Sequence, residues 1–355
     1  YYRFTSEKDF LRAMYPVCRR VAEKIIALTQ TRKTNDYITG PPEKRALYGL
    51  MPESISHEGY SVPKHSYWDN FFALRGLKDA ASMAKALGET ADTARFTEAV
   101  ETFRKDFYNS VRLVMAEKKI DYFPGCAELG DFDATSTAVG VYPCGELRWI
   151  PKQALKGTFD RYLTFFDERA SGKLKWRDYT PYEIRSCSTL LMMDRPRDAH
   201  RLAELFLRDM TPPAWNQWGE IVWRDKKTGQ WIGDMPHTWV GSEFVKFVRN
   251  ILAYEDETDE SLVIGAGILP EWLKTGPIRV TNLPTYYGNL SYRMELKEKS
   301  LTIDVEAGVD PSGAVWIPNL LDRQIKSVTV NGDDYTTVNG RVGFRTLPAK
   351  VVFTY

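Results

Sequence analysis

The feature that most constrains this chain is a change of hydrophobic period near residue 256. Upstream, Phe10, Met14, Val17, Val21, Ile25 and Leu28 recur at three- and four-residue steps and mark one face of a helix over 9–29. The same pattern predicts helices at about 68–87, 91–110, 132–140, 151–169, 181–193, 197–209 and 239–254, making eight in all, mostly in consecutive antiparallel pairs. Ser6 followed by Asp9 resembles a capping box, Pro16 predicts a kink or a later helix start, and Gly88 is a stop signal. From about 262 the period becomes two, in Ile278–Thr281, Leu290–Met294, Leu301–Val305 and Ser327–Val330. Ala314–Ile317 and Val351–Phe353 read as buried strands, and Asn331-Gly332 and Asn339-Gly340 as hairpin turns. The expected fold is therefore mainly α over 1–256, followed by an antiparallel β-sandwich over 262–355.

A chain of 355 residues has room for two such cores. Its 48 Lys+Arg balance 47 Asp+Glu, which removes the basic surface a nucleic-acid partner needs. No apolar run reaches the roughly 20 residues of a membrane helix, so no membrane partner is expected. Cys18, Cys126, Cys144 and Cys187 are scattered without a CxxC pair and read as free buried thiols. His57, His65 and His237 lack metalloprotease spacing, so no metal is expected, and no nucleotide or serine-hydrolase motif implies a cofactor. The opening Tyr1-Tyr2-Arg3-Phe4 reads as a chain entered in the middle. The compartment stays open, with a periplasmic or extracellular place favoured.

Chemistry concentrates in the loops. The stretch 30–67 is long and rich in Gly and Pro, a length that usually serves function. Trp215, Trp218, Trp223, Trp231 and Trp239 crowd a second, largely aperiodic stretch. Indole faces stack on sugar rings, while carboxylates, amides and arginine hold the hydroxyls; the alternative is that these rings only wedge helix ends together. Tyr67-Trp68-Asp69-Asn70 and Trp176-Arg177-Asp178-Tyr179 repeat the mixture. Glycoside hydrolysis needs two carboxylates, and the loops offer Glu53, Glu58, Asp69, Glu128, Asp131, Asp133, Asp178, Glu183, Glu220 and Asp234.

Gly49-Leu50-Met51-Pro52-Glu53-Ser54, followed by His65-Ser66-Tyr67-Trp68-Asp69-Asn70-Phe71-Phe72 opening a helix, resembles the six-hairpin glycosidases. These are (α/α)6-toroid enzymes of the trehalase, glucoamylase, processing α-glucosidase and α-L-rhamnosidase type. The resemblance implies Asp69, in a Trp-Asp element, as general acid. It implies Glu220, in the loop before the helix that opens at His237-Thr238-Trp239, as base. The stretch Val280–Tyr292 and the segment Ser327–Gly332 look like the C-terminal β-sandwich of the rhamnosidase type.

The resemblance makes the chain a glycosidase acting on a carbohydrate substrate by inversion, with Glu53 as reserve acid and Glu183 in reserve for either role. Tyr67, Trp68, Asn70, Trp176, Arg177, Asp178, Trp215, Trp218, His237 and Trp239 would bind sugar. A full toroid has twelve helices, so preceding sequence or a partner chain is expected to supply four. The full trehalase signatures and the rhamnosidase acid motif are missing, which leaves the sugar open. Two other readings use the same residues: a glycan-binding protein without turnover, and a polysaccharide lyase using Tyr60 or Tyr67 with His57 or His65. Lyase sites favour Arg and Lys, whereas these loops favour Asp, Glu and Trp and hence neutral sugars.

Overall fold

The structure, a computed structural model, describes residues 1–57, 59–210, 212–227 and 229–355; Glu58 lies outside the described residues. The chain forms two compact units: an N-terminal one, Glu7–Lys175 with Tyr2, and a C-terminal one, Trp176–Tyr355 with Tyr1 and Arg3–Ser6.

After the single turn α1 (Tyr2–Thr5), the N-terminal unit runs through α2 (Lys8–Gln30), the short α3 (Asn35–Thr39) and α4 (Pro42–Arg45), α5 (Tyr67–Leu87), α6 (Thr90–Lys118), α7 (Ala134–Val141) and α8 (Lys152–Ala170). The core is aromatic. Phe71 of α5 meets Phe107 of α6 edge-on at 4.9 Å and stacks on Phe123 at 5.3 Å. Gly140 lets α7 close onto α5, because a Cβ there would fall within the Phe71 ring. Glu146 is fully buried, with Arg104 donating to both its oxygens at 2.9 Å and Lys78 to one at 3.0 Å.

Two expectations change here, the capping box and the buried face, and of the two outcomes expected of Pro16 the later helix start does not occur. The N-cap of α2 is Glu7, without a side-chain cap bond, and Ser6 takes a positive φ of 56°, so the capping box does not form. The helix starts at Lys8 and contains Pro16 within it. Its buried positions are Leu11, Tyr15, Ala22 and Thr29, whereas Phe10, Met14, Val17 and Val21 of the anticipated face are exposed.

The C-terminal unit begins with β1 (Asp178–Tyr179) and a 3-10 turn, Pro181–Ile184, feeding α9 (Arg185–Met192) and α10 (Pro196–Arg208). A second 3-10 turn, Pro213–Trp215, leads to β2 (Val222–Trp223), which pairs antiparallel with β1. Helix α11 (Thr238–Leu252) then passes directly into β3 (Ala253–Asp256) and β4 (Ser261–Ile264). After α12 (Pro270–Thr275) come β5 (Ile278–Thr285), β6 (Gly288–Lys297), β7 (Ser300–Val305), β8 (Val315–Pro318), β9 (Ser327–Val330), β10 (Asp333–Tyr335), β11 (Arg341–Phe344) and β12 (Ala349–Thr354).

The strands form a six-stranded sheet, β10-β9-β12-β7-β6-β5, and a four-stranded sheet, β11-β8-β4-β3. Along β7, Leu301, Ile303 and Val305 are buried and their neighbours half-exposed, the alternation that period two predicts. Asn331 and Gly332 both take positive φ, 55° and 94°, as a two-residue hairpin turn demands. The sheets are otherwise antiparallel, but β4 pairs with β8 in parallel. One edge strand of that sheet, β3, lies within the stretch 1–256 expected to be helical. No described helix is long and apolar enough to cross a membrane.

Candidate functional site

In the C-terminal unit a tight antiparallel turn assembles the chemistry. The Glu220 amide donates to the Asp234 carbonyl at 3.2 Å, Ile221 to Ile232 at 3.0 Å, and His237 to Trp218 at 3.2 Å. These bonds hold 218–222 against 232–237, and the side chains of Glu220, Asp234 and His237 converge, with one ligating atom from each lying within 4.8 Å of the others. Gly233, with φ +69°, lies against Glu220 so closely that a Cβ there would stand 2.5 Å from the Glu220 Cβ. His237 Nε2 bonds the Tyr182 hydroxyl from the first 3-10 turn, and Trp239 meets the Tyr182 ring edge-on at 5.1 Å. The buried Arg185 guanidinium lies 5.2 Å from the Tyr182 centroid and 5.5 Å from that of Trp239. Two carboxylates and an imidazole at this spacing can share a proton, hold a water or hold a divalent cation.

Of the other expected residues in this unit, Trp215 and Trp239 face solvent, at 61% and 43% exposure. Trp218 does not: it is 3% exposed, its indole N–H donates to the Phe206 carbonyl, and it packs on Phe244. It is a wedge, not a sugar platform. Glu183 is half-buried on the turn that carries Tyr182. Trp176, Arg177 and Asp178 stand by β1, where Arg177 Nε donates to Asp178 at 2.6 Å and its guanidinium lies 5.3 Å from the Trp223 centroid.

In the N-terminal unit the loop before α5 folds onto the helix start. Ser66 caps α5 by accepting from the Trp68 amide at 3.2 Å. The Ser54 and Ser56 hydroxyls donate to the two Asp69 oxygens at 2.6 and 2.8 Å. His57 stacks on Trp68 at 4.4 Å. Tyr67 and Asn70 are fully buried, the first bonded to Ser110 and the second bridging the Met51 amide and the Ser66 carbonyl, and Trp68 is only 7% exposed. These three hold the loop rather than meet a ligand.

Beside them, His65 Nδ1 bonds Glu128 at 2.7 Å and Nε2 lies 3.5 Å from Glu53, which is ion-paired with Arg32. Backbone N–H donation and the Arg32 guanidinium outweigh partial burial and hold the Glu53 carboxyl below its ordinary value. This opposes the reserve role of general acid, which needs a raised value. Burial pushes the Glu128 carboxyl up, but its bonds with His65 prevail and hold it down. Burial drives the Tyr60 and Tyr67 phenols far above their ordinary value, and Tyr60 donates to Asp131.

Sequence reasoning missed Tyr182 and Arg185, and counted Asp234 only among ten loop carboxylates. The available signal was the pair of turn-rich stretches flanking Glu220 and His237, where a Gly-Asp step, Gly233-Asp234, faces a Gly-Glu step, Gly219-Glu220.

No protein-family model matches the sequence, and no curated protein matches it. Among solved structures, the fold resembles that of an α-L-rhamnosidase from Dictyoglumus thermophilum, with a TM-score of 0.55 at 13% identity over 100% of this chain and 38% of that one. It likewise resembles a Streptomyces avermitilis α-L-rhamnosidase complexed with L-rhamnose, with a TM-score of 0.54 at 14% identity over 100% of this chain and 32% of that one. A GH78 family rhamnosidase from Bacillus sp. GL1 gives a TM-score of 0.54 at 12% identity over 90% of this chain and 32% of that one. The chain thus spans about a third of the length of each, and the likeness is one of fold.

Proposed function

We propose that the chain is the catalytic part of a glycoside hydrolase. The observation that carries the reading is the convergence of Glu220, Asp234 and His237 beside Tyr182 and Trp239, in a chain with the fold of part of α-L-rhamnosidases. In this reading Glu220 is the base that takes a proton from water, while Asp234 and His237 orient that water. Asp69 is the candidate acid that protonates the leaving oxygen. Inversion requires the two catalytic carboxyls about 6.5–9.5 Å apart. Trp215 and Trp239 stack on the sugar, and Trp176, Arg177 and Asp178 hold its outer part. The helices belong to an (α/α)6 toroid whose remaining members come from preceding sequence or a partner chain, and the two C-terminal sheets form a β-sandwich. The bare apolar stripe on α2 supports the first of these.

The test is hydrolysis of para-nitrophenyl α-L-rhamnoside and related aryl glycosides, followed by product anomer analysis. Glu220→Gln and Asp69→Asn should each lower turnover about 100- to 10,000-fold with the fold intact. One observation favours a second reading, glycan binding without turnover: both Asp69 oxygens are already occupied by serine hydroxyls. Saturable sugar binding with no product from any aryl glycoside would establish it.

A further inference from the structure

Beyond the carboxylate cluster, the C-terminal unit carries an open groove of about 620 Å³ lined by Trp176, Arg177, Trp223, Arg224, Asp225 and Gln230. Its floor is fixed by backbone pairing. Asp178 and Tyr179 oppose Trp223 and Val222, and the Arg224 amide donates to the Arg177 carbonyl at 2.9 Å. The Trp223 indole N–H donates to the Trp231 carbonyl at 3.0 Å, which fixes the ring plane. Trp176 is held edge-on by Tyr179 at 5.6 Å. Two tryptophan rings are thus set in place at the surface before any ligand arrives, which lowers the ordering cost of binding.

The charges in the groove are not balanced alike. Arg177 is neutralised by Asp178. The Asp225 carboxylate turns back to accept the Lys227 amide at 3.0 Å. Arg224 is exposed and, among the described residues, its guanidinium has no carboxylate partner. A guanidinium offers a planar fork that matches a carboxylate or sulfate with two parallel hydrogen bonds. Indole faces accept the apolar face of a pyranose ring, and the Gln230 amide can serve its hydroxyls.

We propose that this groove binds an anionic sugar residue, one bearing a carboxylate or sulfate, with Trp176 and Trp223 against the ring and Arg224 on the anionic group. This deepens the glycoside hydrolase reading and rests on it for the supposition that the ligand is a saccharide. It also departs from the neutral sugars that the loop composition favours.

The experiment is calorimetric titration of the full chain with three probes: an oligogalacturonide, its carboxyl-reduced neutral counterpart, and a sulfated oligosaccharide of similar length. The anionic probe of the correct source should bind about tenfold tighter than the neutral one, a difference of about 1.4 kcal/mol. The preference should shrink as salt rises, because the pair is exposed. Arg224→Gln should erase it while leaving the circular dichroism spectrum unchanged, since among the described residues the side chain has no carboxylate partner to lose. Arg224→Lys should restore only part of it, because an ammonium cannot reproduce the fork. Preference for the carboxylate or the sulfate probe identifies the source. Equal binding of all three, a preference that survives Arg224→Gln, or binding of none would overturn the proposal. Wild-type hydrolysis of aryl glycosides is scored separately: turnover without anionic preference sinks only the groove, and anionic preference without turnover sinks only the hydrolase.

Discussion

Gly233→Ala isolates the role of Glu220 without touching its carboxylate. At φ +69° an alanine pays the left-handed penalty, about 1–2 kcal/mol. Its Cβ would stand 2.5 Å from the Glu220 Cβ and 2.9 Å from the Glu220 Cδ. Carbon pairs settle at about 3.5–4.0 Å, so the Glu220 side chain has to retreat by about 1 Å. A misplacement of about 1 Å can cost a hundredfold in rate, or about 2.7 kcal/mol of transition-state stabilisation. The backbone penalty alone should lower Tm by only about 2–8 °C in a unit of this size. Gly229→Ala is the control, because its Cβ meets nothing within 4 Å and its φ lies outside the left-handed region. Aryl-glycoside turnover and thermal melts on both variants decide the matter. If Gly233→Ala keeps the turnover of Gly229→Ala despite a lower Tm, Glu220 is not the positioned base.

Three further outcomes follow from the same geometry. Glu146→Gln leaves the part-buried Arg104 and Lys78 facing a neutral amide, and urea unfolding should show a loss of about 3–5 kcal/mol; a change within error would mean that water reaches this network. Glu128 has its folded-state value held below the ordinary 4.5, so it stabilises the fold above that value, and this contribution fades as pH falls through the lowered one. Melting temperature should therefore drop on acidification below about pH 4.5 less steeply in Glu128→Gln than in wild type. Trp218→Ala should cost about 3–5 kcal/mol of stability, as large-to-small core changes do, whereas Trp239→Ala should weaken sugar binding with little change in melting.

Periodicity carried most of the secondary structure. Helices α5, α8, α10 and α11 lie within a residue or two of the ranges their apolar spacing marks, and β7 and β9 likewise. Periodicity failed where direction or partner mattered. On α2 it found an apolar stripe, but the stripe only says which residues share a face. What buries a face is another element, and here, with α2 lying against α5, the buried positions are Leu11, Tyr15 and Ala22 instead. The parallel pairing of β4 with β8 was illegible for the same reason, because fifty residues of intervening chain separate two short apolar runs that alternate no differently from antiparallel ones. In the site, Glu220 and His237 were legible from their setting. Tyr182 and Arg185 were not, since they reach the cluster from a separate turn that no sequence spacing ties to it.

The tryptophans show how a common residue type divides once the chain folds. In the sequence Trp215, Trp218, Trp231 and Trp239 are equivalent members of one crowded stretch. The 218–237 turn separates them. Trp218 sits where its N–H can reach the Phe206 carbonyl, so burying it leaves no polar atom unmet, and it becomes core. Trp231 lends only its carbonyl, to Trp223, and keeps a ring that is 69% exposed. Trp215 closes the 3-10 turn that Pro213 opens, precedes Asn216 at φ 50°, and is 61% exposed. Each ring left in water forgoes about 1.5–3 kcal/mol of burial. Trp215, Trp231 and Trp239 are thus the rings of this stretch left open to a flat, hydroxylated ligand, and their spectral response to sugar is the most direct sign of whether one covers them.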